Sequence, residues 1–62
     1  MWATEAKGHR WAMMAVDHKT EANARADAAR TSLECSHVNV YRYEGYTSIH
    51  VAVYRNGCET QD

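Results

Sequence analysis

The run from Ser36 to Arg55, Ser-His-Val-Asn-Val-Tyr-Arg-Tyr-Glu-Gly-Tyr-Thr-Ser-Ile-His-Val-Ala-Val-Tyr-Arg, constrains the fold more than any other stretch. Its residues alternate at the period of a β-strand about a glycine-containing turn signal, so it reads as a hairpin. A two-residue loop at Glu44-Gly45 sets Tyr43 opposite Tyr46, Val40 opposite Ile49 and Val38 opposite Val51. One face then holds Val38, Val40, Ile49, Val51 and Val53, an apolar set suited to a core. The other holds His37, Asn39, Tyr41, Tyr43, His50, Ala52 and Tyr54. Such a polar-aromatic face serves either as a binding platform or as a second packing surface, and the local sequence leaves both open.

Upstream, Arg10 to Asp17 reads as a strand apolar on both faces, through Trp11, Met13 and Ala15 on one and Ala12, Met14 and Val16 on the other. A strand of that kind is central or covered on both sides. Trp2 to Glu5 is either a further short strand returning through Ala6-Lys7-Gly8, or a tail with one apolar anchor. Asp17 or Thr20 is placed to cap a helix running from Glu21 to Glu34, with Glu21 in the first turn where the helix dipole favours negative charge. Ala22, Ala26, Ala29 and Leu33 form its inward stripe, leaving Asn23, Ala24, Asp27, Ala28 and Thr31 outside. Glu21–Arg25 and Arg30–Glu34 are i,i+4 opposite-charge pairs. The order gives an α+β fold, one helix packed on a small, mostly antiparallel sheet: β-α-β-β, or β-β-α-β-β if the first strand forms. The last hairpin strand then lies between its two neighbours as in a split β-α-β unit, or outside them. After the Asn56-Gly57 turn signal, residues 58–62 read as a polar tail.

The 62 residues, with no proline and three glycines, amount to one domain whose core is small enough for association with a partner or a second copy to matter. A formal charge of −1, from 7 Lys+Arg against 8 Asp+Glu, lacks the basic excess of a generic nucleic-acid binder. The first residues lack a signal-peptide pattern, and no run approaches the about 18 apolar residues of a membrane span, so a cytoplasmic setting is expected. There Cys35 and Cys58 favour free thiols, although the topology brings both to one pole of the domain, where they can approach each other.

Chemistry-bearing motifs are scarce. Cys35-x-His37 with His50 and Cys58 supplies zinc-type ligands without a zinc-type spacing, so no metal or other cofactor is expected. No nucleophile elbow, His-Glu-x-x-His or phosphate loop occurs, which points away from an enzyme. Tyr41, Tyr43, Tyr54, His37 and His50 on an open sheet face are able to stack on single-stranded nucleic acid, with Arg42 and Arg55 near the rim. The same residue types are enriched in protein interfaces, which need no basic excess, and a protein partner is favoured.

From Ala26 to Gly57 the chain resembles a family of small phage-encoded anti-CRISPR proteins that inhibit the type I-F surveillance complex. The likeness rests on Cys35-x-His37-x-x-Val40-x-Arg42-x-Glu44 after an alanine-containing helix, followed by Ala52 and Gly57. It implies docking on the backbone subunits of that ribonucleoprotein and exclusion of target DNA from the guide. Where the family carries a basic pair in its helix this chain has Asp27-Ala28, which leaves Lys19, Arg25 and Arg30 as neighbouring cations, with Arg42 the matched contact. The expected function is therefore a non-catalytic, phage-encoded inhibitor. Its partner-binding residues are Lys19, Arg25, Arg30, Tyr41, Arg42, Tyr43, His50 and Tyr54. The alternatives are a single-stranded nucleic-acid module using the Tyr/His face and a structural homodimer.

Overall fold

A computed structural model describes residues 1–8 and 15–60 of the chain. Its elements are β1 (Trp2–Lys7), β2 (Ala15–His18), α1 (Glu21–Thr31), β3 (His37–Glu44), β4 (Thr47–Arg55) and β5 (Cys58–Thr60). They build an α+β fold in which one helix packs on a five-stranded sheet of order β2-β1-β3-β4-β5, every neighbouring pair antiparallel. The N-terminal strand thus forms and occupies the slot between β2 and β3, the two strands joined through the helix. The last hairpin strand lies outside. Of the strand expected over 10–17, the part before Ala15 lies outside the described residues, and with it the two-faced apolar pattern of Trp11 to Met14.

The β3–β4 hairpin forms in a different register from the one its sequence suggests. Gly45 and Tyr46 make the loop, and Glu44 pairs with Thr47, Tyr43 with Ser48, Arg42 with Ile49 and Tyr41 with His50. Gly45 takes a positive φ of 62° and Tyr46 does not, the pattern of a type II′ turn with glycine first. A Glu44-Gly45 loop would have placed the glutamate in the first central position, where hairpin turns require positive φ and reward Gly or Asn. A bulge then falls on β4. Beyond it Val40 pairs with Ala52, Asn39 with Val53 and Val38 with Tyr54, so Val51 is the extra residue.

The bulge re-sorts the faces expected for β4. Val38 and Val40 are fully buried under the helix as expected, but their partners in the core are Ala52 and Tyr54. Ile49 keeps the helix-side face yet stands outside that cluster, and Val51 packs against its margin. Val53, expected in the core, turns to the opposite face, where it is 8% exposed between Asn39 and Thr60.

The helix is also rotated from the expected setting. Ala24 and Ala28 have no exposed surface and lie against Val38, Val40, Ala52 and Tyr54, while Ala22 and Ala26 face solvent. Polar pairing decides this. The Asp27 carboxylate accepts a 3.0 Å hydrogen bond from Thr4 Oγ1 on β1, and Arg25 Nη1 donates to Tyr54 Oη at 3.2 Å. With alanine on every side, burial alone discriminates little between faces. Thr20 is the N-cap, its Oγ1 accepting from Asn23 N at 3.1 Å, and Glu21 pairs with Arg25 at 2.7 Å. The helix stops at Thr31, and Leu33, expected inside, is 67% exposed. Arg30 pairs with Asp27 at 3.0 Å, and no pairing with Glu34 is seen.

Residues 58–60 are not tail. Asn56 (φ 53°) and Gly57 (φ 83°) form a tight turn that returns the chain as β5, paired with Val53–Arg55. Gly57 N donates to Ser32 Oγ at 2.8 Å, fastening this turn to the helix end. Cys35 and Cys58 are free thiols. No described helix is long and apolar enough to cross a membrane.

Candidate functional site

Two clusters of side chains stand out, one on each face of the sheet. On the helix side, Thr4 Oγ1 lies 3.2 Å from His18 Nε2, and His18 Nε2 lies 3.3 Å from the same Asp27 oxygen that accepts the Thr4 proton. With that proton committed to Asp27, the Nε2–H tautomer of His18 completes the set. These residue types resemble a nucleophile-base-acid trio, but their order does not. The hydroxyl donates directly to the carboxylate instead of to the imidazole, and Thr4 is 3% exposed. The cluster joins β1, β2 and α1 through one part-buried polar knot. Sequence reading missed it, because Thr4, His18 and Asp27 are far apart in the chain and obey no local spacing.

The opposite face bears the tyrosines. Directly opposed residues share a face, so Asp17, Ala3, Tyr41 and His50 form one row across four strands, and Glu5 and Asn39 lie in the next. The Tyr41 and His50 rings meet edge to face with centroids 5.4 Å apart, and His50 Nε2 lies 3.1 Å from Asn39 Oδ1. Tyr41 Oη donates to Glu5 Oε1 at 3.4 Å. Burial, followed by the Glu5 carboxylate and its hydrogen bond, holds the Tyr41 phenol above the ordinary tyrosine range, and Tyr43 adds to the effect. Beside these rings lies a depression of about 240 Å³ lined by Ala3, Thr4, Glu5, Tyr41, Tyr43 and Ser48. Alanine at position 3 is what makes the hollow: it is a small floor between taller neighbours, itself 1% exposed.

The residues expected to contact a partner divide between these faces. Tyr41, Tyr43 and His50 come together on the helix-free side, as read from the hairpin pattern. Tyr54 does not join them: the bulge turns it into the core at 8% exposure, with Arg25 on its hydroxyl. Arg42, two residues from Val40, is on the helix side and pairs with Glu44 at 2.9 Å. Lys19 is exposed in the connection from β2 to α1, and Arg25 and Arg30 belong to the helix.

Most of the described cations are engaged by carboxylates. Lys7 lies 3.6 Å from Glu5, Arg25 2.7 Å from Glu21 and 2.8 Å from Glu59, and Arg30 3.0 Å from Asp27. Hydrogen bonds to Tyr54 and then Glu21 keep the Arg25 guanidinium protonated beyond its already high tendency. Among the described residues no group of three or more His, Cys, Asp and Glu side chains is arranged to hold a metal ion. Set against protein-family models, curated proteins and solved structures, the chain matches none.

Proposed function

We propose that this chain is a non-catalytic binding protein that inhibits a larger assembly by covering one of its surfaces with the helix-free face of the sheet. The observation that carries the reading is the group formed by Tyr41, His50 and Tyr43 beside an open depression, on a face that the helix leaves uncovered. Aromatic side chains fixed on a strand offer contact area at low entropic cost, as interface anchors do. In keeping with the resemblance over Ala26 to Gly57, the assembly is the type I CRISPR surveillance complex of a phage-infected bacterium. The consequence of docking in its cytoplasm is a block on target-DNA binding.

Direct binding of single-stranded nucleic acid through the same rings is the competing reading. It is disfavoured by the carboxylates already paired with Lys7, Arg25, Arg30 and Arg42, each of which a phosphate would have to displace. The test is to preincubate purified type I-F complex with the protein and follow labelled target DNA by anisotropy. The expected result is loss of DNA binding together with co-elution of the protein and the complex, both weakened by Tyr43→Ala. Unchanged DNA binding without co-elution refutes the inhibitor reading. A salt-sensitive shift of free single strands that disappears in Tyr41→Ala establishes the nucleic-acid reading instead.

A further inference from the structure

The depression beside Tyr41 has a chemistry more specific than a generic aromatic contact. Its wall contains two phenol rings, Tyr41 and Tyr43, and the Glu5 side chain, which keeps 33% of its surface exposed. Ser48 adds a hydroxyl, and Ala3 forms the floor. Asp17, directly opposite Ala3 on β2, places a second carboxylate on the same face and is exposed. Ring faces carry negative potential and attract cations, and a carboxylate in the same hollow gives that attraction a fixed direction.

We propose that this hollow is the receptor for an arginine side chain of the protein partner, stacked on the tyrosine rings and hydrogen-bonded to Glu5. The inference rests on the reading of this face as the docking surface and names the group that it captures.

Arginine fits better than the alternatives. Its planar guanidinium stacks on a ring and forks onto a carboxylate at once, whereas the lysine ammonium is a strongly hydrated point charge. Anionic groups are repelled by Glu5 and Asp17. A purely apolar side chain would take water from the Glu5 carboxylate and add no donor to its long contacts with Tyr41 Oη and Lys7, which is costly. Lys7 lies 3.6 Å from Glu5 but is itself 46% exposed, so the pair is a weak surface contact that an incoming guanidinium is able to replace.

The experiment uses the full chain, isotopically labelled, titrated with acetyl-arginine-amide and separately with acetyl-citrulline-amide, the uncharged near-isostere. The expected outcome is saturable movement of the amide signals of Ala3, Glu5, Tyr41, Tyr43 and Ser48 with arginine. The response to citrulline should be about tenfold weaker, as for loss of a charge-assisted contact. Glu5→Gln should weaken arginine binding by about the same factor while leaving distant signals in place. Tyr43→Ala, at a ring already 37% exposed, removes the stacking surface independently and should also weaken it. Equal responses to the two probes, movement centred elsewhere, or no saturable movement up to about 100 mM, well above the millimolar range of a lone side chain, overturns the proposal. If arginine fails to bind yet the protein still blocks the surveillance complex, the hollow is refuted and the docking face stands. If arginine binds here and the complex is unaffected, the hollow is supported and the identity of the assembly is refuted.

Discussion

Ser32 is the side chain on which the helix end and the last turn meet. It is 1% exposed, its hydroxyl donates to Ala29 O at 2.9 Å, and it accepts from Gly57 N at 2.8 Å. Ser32→Ala leaves a part-buried backbone N–H without its partner, and the expected cost is about 1 kcal/mol. A denaturant midpoint indistinguishable from the parent's would contradict that assignment. Tyr41 offers a second test at this scale. Its proton is held more tightly in the folded chain than in the unfolded one, so stability is complete below the ordinary tyrosine value of about 10 and falls as pH rises through the higher folded value. In a tyrosinate absorbance titration Glu5→Gln should bring the Tyr41 step to lower pH, since two of the contributions come from Glu5 and the largest, burial, remains. An unmoved step would exclude Glu5 as a cause. His37, Asn39, Tyr41, Tyr43 and His50 were legible as one face because simple alternation governs all of them. Tyr54 was not, because its face is set by an inserted residue three positions earlier.

At the scale of elements, the start of α1 was legible and its orientation was not. Capping is local chemistry, so Thr20 followed by Glu21 announces the helix wherever the chain goes next. Orientation is decided by contrast between faces, and alanines at 22, 24, 26, 28 and 29 supply almost none. The partners that decide it, Thr4 and Tyr54, lie in other elements. Ala24→Leu and Ala26→Leu separate the two settings. The first forces bulk into a closed contact and should cost about 1–3 kcal/mol, while the second should stay within about 0.5 kcal/mol of the parent. The reverse order in thermal melts would place the helix in the other rotation. The final turn was available in Asn56-Gly57, the strongest short hairpin signal in the chain, but the residues after it carry too little apolar pattern to announce a strand.

For the whole molecule, the alternation of strands with one helix carried the fold class, and the pairing of β1 with both β2 and β3 supplied what it left open. The balance of charge is equally global. Because Lys7, Arg25, Arg30 and Arg42 are paired within the chain, most cations among the described residues would have to leave a carboxylate before releasing counterions from a polyphosphate partner. The proposed association with the surveillance complex is accordingly expected to change by less than about tenfold between about 50 and 200 mM salt, where a binder making many phosphate contacts loses about a thousandfold. A slope of the latter size, measured by anisotropy across that range, would move the contact from protein to nucleic acid.

The irregularity at Val51 divides β4 into two segments with separate allegiances. From Thr47 to His50 the strand follows the phase set by the turn, and from Ala52 to Arg55 it follows the phase required by the helix. The extra residue acts on the strand as a frameshift acts on a message, leaving everything upstream intact and reversing everything downstream relative to simple alternation from the turn. Removing Val51 would leave the same partners on a regular ladder, Val40 with Ala52 and Val38 with Tyr54, whereas keeping it and pairing it with Val40 would offer Val53 to the helix and send Tyr54 to the side of Tyr41. Substitutions on the turn side of Val51 can thus vary what the protein displays, while those beyond it answer first to the fold.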